Sequence, residues 1–441
     1  MKLTKAEWFS LAPMDFIFIV VVSCSKVEPV QPRVHSIQLS GEDASCTEAW
    51  LKATTTEIPA TIALLRDNHR VQILRLSISD SLLIDEGLLP NHGYVYQLQK
   101  LGVDSSVIEA TETLQVTTMD TTSHNYTWQI DTLGDGSSSV LYDAAIINDT
   151  LAYAVGEMYL RDSTGQIDPQ AWNAAKWNGQ QWELRRIPFI GPCSAVLYPP
   201  LKAIWAFSAT NILVTNGGSI VRYDGANATM DCGMSSQLAG AINKIWGLSH
   251  QDVYIVGNVG TIMHYNGSTW QRVESGTNVD IRDIWGGELN NRAEIVAVAS
   301  YGIQVPQARE VLRIEGVDVS PVSHEGLPLD IGTVWFMPFR KYIIAGAGLY
   351  SSYRLDTSWQ KDTTQPLYYV SSIRGTGWNE MALSGGYGHL SYFNGVRWKH
   401  FTGNELPYIQ GNLSTVAIRG NLLVSAGWLS NGKAIAVVGR K

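Results

Sequence analysis

Charged residues, cysteines and long apolar runs are all scarce in this chain of 441 residues. Only 16% of the residues are charged and the net charge is −8, with no cluster of lysines or arginines, so the basic surface that nucleic acids require is missing. The four cysteines and nine scattered histidines show no zinc-ligand spacing, and no glycine-rich phosphate loop leads into a helix. We therefore expect no nucleic-acid partner, no metal and no cofactor.

The abundant residues indicate a folded chain that is rich in turns. Hydrophobic residues make up 45% of the sequence, which also contains 40 glycines and 15 tryptophans. This composition is typical of a well-packed globular protein. The length accommodates two or three domains or one large repeat fold.

The N-terminal segment combines positive charge, a short apolar stretch and a cysteine. Lys2 and Lys5 precede the sequence FIFIVVV at residues 16–22, which is too short to span a bilayer. Cys24 follows this stretch after one serine. The arrangement resembles the lipobox of bacterial lipoproteins, in which the cysteine thiol accepts a diacylglycerol. The resemblance implies a signal peptide at residues 1–23.

Acylation of Cys24 would hold the protein on a membrane surface without a transmembrane helix. Residues 24–33 are polar and contain proline, which predicts a tether. Ser25 stands where aspartate would signal retention in the inner membrane, so the resemblance implies an outer-membrane anchor on the periplasmic or the surface face. An ordinary signal peptide with an incidental cysteine is the alternative.

The three remaining cysteines allow two interpretations. Cys193 and Cys232 flank one predicted repeat unit, so this pair is the candidate disulfide in an exported chain. Cys46 lies in a strand pattern and has no partner left. Three free, buried thiols are the alternative.

Residues 34–119 contain six short segments that alternate or run apolar, and no helical period persists. Such a series predicts an antiparallel sandwich. Trp50 in the second segment, and the order Leu88, Pro90, Tyr94 further on, resemble a fibronectin type III module. The resemblance implies a core tryptophan, a corner tyrosine whose hydroxyl bonds to upstream backbone, and a spacer or adhesion role.

The rest of the chain repeats one pattern. Its clearest copy, residues 242–276, holds four short strand patterns separated by Gly, Asn or Ser. Four strands in a repeat of about 40 residues are typical of a β-propeller blade. Successive copies place Trp205, Trp246, Trp285, Trp335, Arg374 and Arg419 at one equivalent position. A further copy opens at residues 140–160 and closes at Trp182.

The copies number seven, and the last one contains only three strand patterns. The segment NYTWQIDTL at residues 125–133 precedes the first copy and resembles a fourth strand, with Trp128 at the position of Trp270. We predict that this segment completes the last blade. Residues 125–441 would then form a closed, seven-bladed propeller without an unpaired edge.

The sequence HYNGSTWQRV is one hairpin of this repeat. Asn266 and Gly267 predict a two-residue loop with positive φ angles, and near copies occur at residues 178–182 and 394–398. We expect Trp270 to pack between blades rather than to stack on a ligand.

The phrases IWGLSHQDVYIVGNVGTIMHYNGSTW and IRDIWGG resemble a repeat of exported bacterial proteins, related loosely to photosystem-assembly-factor-like and sialidase-like propellers. GSTW at residues 267–270 matches only the tail of the sialidase aspartate box, whose aspartate and serine would fall at Tyr265 and Met263. The resemblance therefore implies the propeller fold for residues 125–441 and gives no warrant for catalysis.

Two copies carry insertions between their second and third strands, at residues 156–172 and 299–311. Loops at this place lie on the face where propellers commonly bind ligands, because loops on a rigid scaffold carry function. The candidate contact residues in these loops are Tyr159, Arg161, Trp172, Tyr301, Gln304 and Arg309. Loops without a role are the alternative.

We expect a lipid-anchored envelope protein that binds a protein or glycan partner on its propeller face. A glycan-active hydrolase or lyase, with acidic residues converging on the propeller centre, is one alternative. A structural or assembly role is another. No catalytic residue can be assigned from linear sequence, because paired carboxylates are recognised by their spacing in the fold.

Overall fold

The structure is a computed structural model that describes residues 35–135, 138–190, 195–231, 234–302, 308–365 and 368–441. In this part of the chain no helix is long and apolar enough to cross a membrane. Several predicted features lie outside the described residues: the signal peptide, the tether, Cys24, the pair Cys193 and Cys232, and Gln304.

The first part of the chain forms two antiparallel sheets that share one core. The three-stranded sheet has the order β1-β2-β5, with β1 at Ile37–Ala44, β2 at Glu48–Thr55 and β5 at Asp80–Glu86. The five-stranded sheet consists of β4 (His69–Leu76), β3 (Ala60–Arg66), β6 (Gly93–Leu101), β7 (Val107–Ala110) and β8 (Leu114–Thr117), and β8 pairs with β6. Alternate residues of both sheets fill the core between them, as the period of two requires.

Tyr94 makes its predicted hydrogen bond, whereas Trp50 does not lie where the sequence predicts. The Leu89 backbone N–H donates to the Tyr94 hydroxyl at 2.8 Å, which confirms the predicted bond between this tyrosine and upstream backbone. Trp50 is fully buried, but it lies outside the sandwich core, so its predicted place there is wrong. Its neighbours Ala49 and Leu51 face the core, and the pleat turns Trp50 to the opposite side. The assignment to fibronectin type III stays a prediction.

Trp50 joins the sandwich to the second part of the molecule. Its ring stacks on Trp378 with centroids 5.5 Å apart. Lys341 Nζ lies 2.7 Å from a Glu48 carboxylate oxygen beside this stack. Cys46 is a free, buried cysteine in the turn before β2, where its thiol donates to the Asp120 carbonyl oxygen at 3.2 Å. Aromatic packing and ion pairing thus hold the two parts together.

Seven sheets with four antiparallel strands each follow among the described residues. Sheet 1 contains β10 (Val140–Asn148), β11 (Leu151–Met158), β12 (Trp172–Trp177) and β13 (Trp182–Arg185). Sheet 2 contains β16 (Ala203–Ser208), β17 (Asn211–Thr215), β18 (Ile220–Tyr223) and β19 (Ala228–Asp231). Sheet 3 contains β20 (Ile242–Ser249), β21 (Asp252–Gly257), β22 (Ile262–Tyr265) and β23 (Trp270–Arg272). Sheet 4 contains β24 (Ile281–Leu289), β25 (Arg292–Ser300), β26 (Arg309–Glu315) and β27 (Asp318–Pro321).

The remaining sheets repeat this order. Sheet 5 contains β28 (Ile331–Phe336), β29 (Tyr342–Gly346), β30 (Gly348–Ser352) and β31 (Gln360–Asp362). Sheet 6 contains β32 (Val370–Gly377), β33 (Glu380–Gly385), β34 (Leu390–Phe393) and β35 (Trp398–His400). Sheet 7 contains β36 (Gly411–Arg419), β37 (Leu422–Leu429), β38 (Ala434–Arg440) and β9 (Thr127–Leu133). A short hairpin, β14 (Phe189–Ile190) and β15 (Val196–Leu197), and a 3₁₀ turn at Ser235–Gln237 lie between sheets.

The first strands of these sheets surround a central channel. Each first strand contacts the next one, and β36 contacts β10. Strand β9, which precedes sheet 1 in the chain, pairs along its whole length with β38, so that Trp128 lies opposite Gly439. The predicted all-β propeller fold and its closure by the N-terminal strand are therefore confirmed.

The phrase IWG has a packing explanation. The glycine after the tryptophan position in one sheet lies against the indole of the preceding sheet. A Cβ atom on Gly286 would lie 2.7 Å from the Trp246 ring, and one on Gly375 would lie 2.7 Å from the Trp335 ring. The Trp335 indole N–H also donates to the Gly375 carbonyl oxygen at 3.0 Å. The motif is thus a contact between neighbouring sheets.

The repeat alignment needs one correction. In the first strands, a register shift ends two residues before the tryptophan position, at Asp283 for Trp285 and at Thr415 in β36. The tryptophan position of β36 is therefore Ala417, and the predicted assignment of Arg419 is wrong by two residues. An offset of two keeps a side chain on the same face of a strand, so the hydrophobic pattern alone did not reveal it.

The Asn-Gly hairpin is longer than predicted. Tyr265 pairs with Trp270, so the loop has four residues rather than two. Gly267 has a φ of +92°, whereas Asn266 has an ordinary negative φ and contributes through its side chain. Its Oδ1 atom accepts the backbone N–H groups of residues 268 and 269, both at 3.0 Å. Asn178 and Asn394 make the same pair of bonds, which explains why the asparagine recurs.

Candidate functional site

Polar side chains line the channel at one repeat position, two residues before the tryptophan position. From sheet 1 to sheet 7 this position holds Asp143, Ala203, Lys244, Asp283, Thr333, Ser372 and Thr415. All of them except the alanine line one cavity. Because the first strands place this position at one level of the channel, residues far apart in sequence meet there.

Asp283 forms a two-pronged ion pair with Arg374 and is 3% exposed. The Arg374 Nη1 and Nη2 atoms donate to the two carboxylate oxygens at 2.9 and 2.8 Å. The carboxylate also accepts from the Thr333 hydroxyl at 2.7 Å and the Val334 N–H at 3.1 Å. Burial opposes ionisation, but Arg374 and then Lys244 lower the pKa of the Asp283 carboxyl. This carboxylate is ionised at neutral pH and has no proton to donate.

Asp143 forms a second buried ion pair, with Lys244. The Lys244 Nζ atom lies 2.6 Å from Asp143 Oδ1, which also accepts from the Thr415 hydroxyl at 3.1 Å. Its other oxygen accepts the Ile204 backbone N–H at 3.1 Å. The two ion pairs connect sheets 1 and 3 and sheets 4 and 6 across the channel. Both central carboxylates are committed to partners within the protein.

The ion pairs separate two cavities. The lower cavity, at the end where the first strands finish, has a volume of about 330 Å³. Trp205 and Trp285 form one wall, with ring centroids 6.1 Å apart. Ala145 and Ala417, at the tryptophan position of sheets 1 and 7, form the other. The missing indoles of these two adjacent sheets leave the space, and exposed Arg419 lies at its edge.

The upper cavity, at the end where the first strands begin, is smaller and polar. Its volume is about 110 Å³, and hydroxyl, amide and charged side chains line it. Tyr142 lies at this cavity and donates to Glu157 at 2.6 Å, and Tyr159 donates to the other oxygen of Glu157 at 2.8 Å. Burial raises the pKa of Tyr159 to about 12, so its hydroxyl is protonated.

The candidate contact residues lie at the upper end, because the loops that carry them follow the ends of β11 and β25 opposite the starts of β10 and β24. Tyr159 reaches the upper cavity through Glu157. Arg161 bonds within its own loop, to the Gly165 carbonyl oxygen at 2.7 Å. The Arg186 guanidinium lies over the Trp172 ring, 4.4 Å from its centroid.

The candidates of the second loop form a separate group. The Tyr301 hydroxyl donates to the Asn278 carbonyl oxygen at 2.7 Å. Arg309 pairs with Ser300 where β26 meets β25. The first loop belongs to sheet 1 and the second to sheet 4, and sheets 2 and 3 lie between them around the channel. The structure therefore does not bring the two groups of candidate residues together. They occupy separate places on one face.

Sequence reasoning missed the residues at the channel centre. Asp143 and Lys244 are 101 positions apart, and Asp283 and Arg374 are 91 apart. The sequence did contain a signal. At the position before IW, some copies of the repeat have an apolar or hydroxyl side chain, whereas others have lysine or aspartate. A comparison of this column among the seven copies would have found it.

Comparisons with known proteins show the fold. No protein-family model matches the chain, and no curated protein matches it. Solved β-propellers do. YCF48 bound to a D1 peptide is 16% identical with a TM-score of 0.51, covering 71% of this chain and 96% of that one. YCF48 from Cyanidioschyzon merolae is 15% identical with a TM-score of 0.51, covering 70% and 98%. The WD40 propeller domain of Doa1 is 12% identical with a TM-score of 0.52, covering 72% and 97%. At these identities the chain is similar to them in fold alone.

Proposed function

We propose that the protein is a binding protein whose lower cavity receives an apolar or aromatic side chain of a protein partner. The cavity itself carries this proposal. Ligand sites are typically concave, mostly apolar and about 300–1,000 Å³ in volume, with a few placed polar groups. The lower cavity, at about 330 Å³, has Trp205 and Trp285 as apolar walls and Arg374 and Lys244 at its floor.

The composition of the wall supports a side chain as the occupant. The space lies where Ala145 and Ala417 replace the tryptophan that the repeat carries in four other sheets. A hydrophobic group of a partner would take the place of an indole that the chain does not supply. A propeller of similar fold, YCF48, has been solved with a peptide bound, which supports a peptide segment as the ligand class.

The engaged central carboxylates support binding over glycan hydrolysis. A glycosidase needs one carboxylic acid that donates a proton and a second carboxylate as base or nucleophile. Asp283 is held ionised by Arg374, and the oxygens of Asp143 accept from Lys244, Thr415 and backbone.

We further propose an envelope location for this binding protein. A lipid on Cys24 would anchor it, residues 24–33 would serve as the tether, and a fibronectin type III-like module would space a seven-bladed propeller from the membrane. The contact of Trp50 with Trp378 supports a spacer that holds the propeller in a fixed orientation. Mass spectrometry of the protein from its native membrane tests the anchor, because an unmodified Cys24 contradicts it.

Selection of a displayed peptide library on the purified full chain tests the proposed function. We expect selected peptides to share an aromatic or large aliphatic residue. Ala417→Trp places an indole in the lower cavity and should weaken their binding by about tenfold or more, which is about 1.4 kcal/mol. Val317→Trp adds the same ring at an exposed position on sheet 4 and should leave binding unchanged.

Two outcomes contradict the proposal. One is a set of selected peptides that bind Ala417→Trp as tightly as the unmodified protein. The other is binding on a glycan array that Ala417→Trp abolishes while no peptide binds, because the lower cavity would then be a glycan site.

A further inference from the structure

The upper cavity carries an excess of positive charge in a chain whose net charge is −8. The charged side chains that line it are Lys202, Lys244, Arg282, Arg374, Asp143 and Asp283. The two carboxylates are paired with Lys244 and Arg374. The charges of the two remaining cations are therefore not neutralised by the lining, and a concave site focuses such a field on its opening.

Lys202 and Arg282 form no ion pair with any carboxylate among the described residues. The Lys202 ammonium lies 3.7 Å above the centroid of the Tyr142 ring, which positions it at the cavity without neutralising it. The Arg282 Nε atom donates to the Ser300 carbonyl oxygen at 2.8 Å, which fixes the stem of the guanidinium.

The acidic groups near the rim are already occupied. Glu157 accepts the hydroxyls of Tyr142 and Tyr159. Asp330 accepts the Tyr369 hydroxyl at 3.2 Å. Neither carboxylate reaches Lys202 or Arg282, so the two cations remain available to an anion from outside.

We propose that the upper cavity binds a carboxylate of a peptide segment, either a chain terminus or an Asp or Glu side chain. Besides the cations, the lining offers the hydroxyl of Ser414. The Ser371 hydroxyl and the Asn243 amide also line the cavity, but they already donate to Asn412 and to Asn258 and Ile281. Hydrogen bonds from cationic and hydroxyl donors to a carboxylate are short and strong. Arg282 and Ser414 lie in first strands and Lys202 directly precedes one, so the site is formed before the ligand arrives.

The size of the cavity favours a peptide over an acidic sugar. The upper cavity, at about 110 Å³, has about a third of the volume of the lower cavity at about 330 Å³, which suits a carboxylate on a narrow stem. A substituted sugar ring is broader. Tyr387, in the loop after β33, and Tyr408, in the loop before β36, are exposed at the same end of the propeller.

Isothermal titration calorimetry on the full chain tests this proposal with four probes. The first probe is a set of short peptides with a free C-terminal carboxylate. The second is the same set as C-terminal amides, with and without an internal Asp. The third and fourth are glucuronate and inorganic phosphate. We expect binding of the peptides that carry a carboxylate, and weaker binding as salt is added. Lys202→Gln and Arg282→Gln should each weaken it by about tenfold or more, since each removes a charged donor to the carboxylate.

The controls separate charge at the cavity from charge elsewhere. Lys202→Arg should keep binding, and Ser414→Asp, which adds a negative charge to the lining, should abolish it. Lys361→Gln makes the same charge change on the outer strand β31 and should have no effect. The proposal is overturned if glucuronate or phosphate binds more tightly than every peptide. It is also overturned if Lys202→Gln and Arg282→Gln leave the affinity for the carboxylate peptides unchanged.

This inference and the proposed function fail independently. The ion pairs of Asp143 and Asp283 separate the two cavities, so Ala417→Trp fills the lower cavity and should leave carboxylate binding intact. Arg282→Gln should leave binding of the apolar or aromatic side chain in the lower cavity unchanged. Loss of both activities in either variant would show that one site, not two, had been measured.

Discussion

Sheets 2 to 5 and the three sheets that complete the ring use one repeat position in different ways. In the former, the position holds tryptophans that fill the space between sheets, two of them against a glycine of the next sheet. In sheets 6, 7 and 1 it holds Arg374, Ala417 and Ala145. One of these replacements supplies a buried charge and two leave a cavity. The shared residues thus build the ring, and the departures from the repeat create its candidate sites.

The largest expected effect falls on the tryptophan side of this comparison. Trp335 is 1% exposed, and its indole contacts Gly375 of the next sheet. Trp335→Ala should lower the free energy of unfolding by about 5 kcal/mol, the upper end for such changes, because the rigid strands around it cannot collapse into the gap. Ala417→Trp should stay within about 1 kcal/mol of the unmodified protein, since its indole enters an open cavity. Urea unfolding measures the change in free energy for both variants. Equal losses would contradict the difference between the filled tryptophan positions and the open cavity.

The buried arginine of sheet 6 should come next. Arg374→Ala leaves Asp283 charged and unpaired, which costs about 3–5 kcal/mol in buried pairs. Arg354→Ala removes an exposed arginine paired with Asp356 and should cost less than about 1 kcal/mol. The midpoints of urea unfolding compare the two variants. A cost for Arg374→Ala as small as that for Arg354→Ala would show that the central ion pair contributes nothing to the ring.

Besides Arg374, sheet 6 differs from sheet 3 at His389, and this difference should make the stability of the protein depend on pH. His389 stands where sheet 3 has Thr261, and burial, with the neighbouring His400, lowers the pKa of His389 from 6.5 to about 3. A lowered histidine pKa means that the unfolded chain binds the proton first. Stability is therefore complete above pH 6.5 and is lost as the pH falls toward 3.

Melting temperatures across this pH range test the assignment to His389. The groups that face its ring are His400, Tyr368 and Ser391, of which only His400 also titrates as a cation. His389→Phe should flatten the melting profile between pH 6.5 and 3. His250→Phe, which changes an exposed histidine of sheet 3, should not. Equal profiles for the two variants would assign the pH dependence to other groups.

The smallest expected loss of stability concerns the Asn-Gly hairpin loops, which occur in sheets with and without a tryptophan at the repeat position. Asn266→Ala removes the acceptor of two backbone N–H groups at an exposed loop, and we expect a loss of about 1 kcal/mol. Asn178→Ala in sheet 1 should behave alike, because the loop geometry is the same on both sides of the comparison. Thermal unfolding measures both losses, and a markedly unequal pair would mean that the loops are not equivalent.

The features that could be predicted from sequence are those that recur. The Asn-Gly loops and the IWG phrases repeat often enough to locate the sheets, and the similarity of Trp128 to Trp270 identified the closing strand. The features that could not be predicted arise once. Only the fold brings Asp283 to Arg374, and the period of two cannot tell which partner Trp50 meets beyond its own sheet. The departure at Ala417 was missed because the repeat pattern placed Arg419 at its position, and only the register of β36 with β37 corrects this.

Strand β9 has a consequence for how the chain is made. Its Thr127 hydroxyl bonds to the carbonyl oxygen of Arg440, 313 positions further on. Synthesis at about 5–20 residues per second separates the two strands by roughly 15–60 s. During that time β9 presents an unpaired edge to other nascent chains. We expect ring closure to be the last and slowest folding event, and a chain arrested before β38 to aggregate through β9 rather than to stay partly folded.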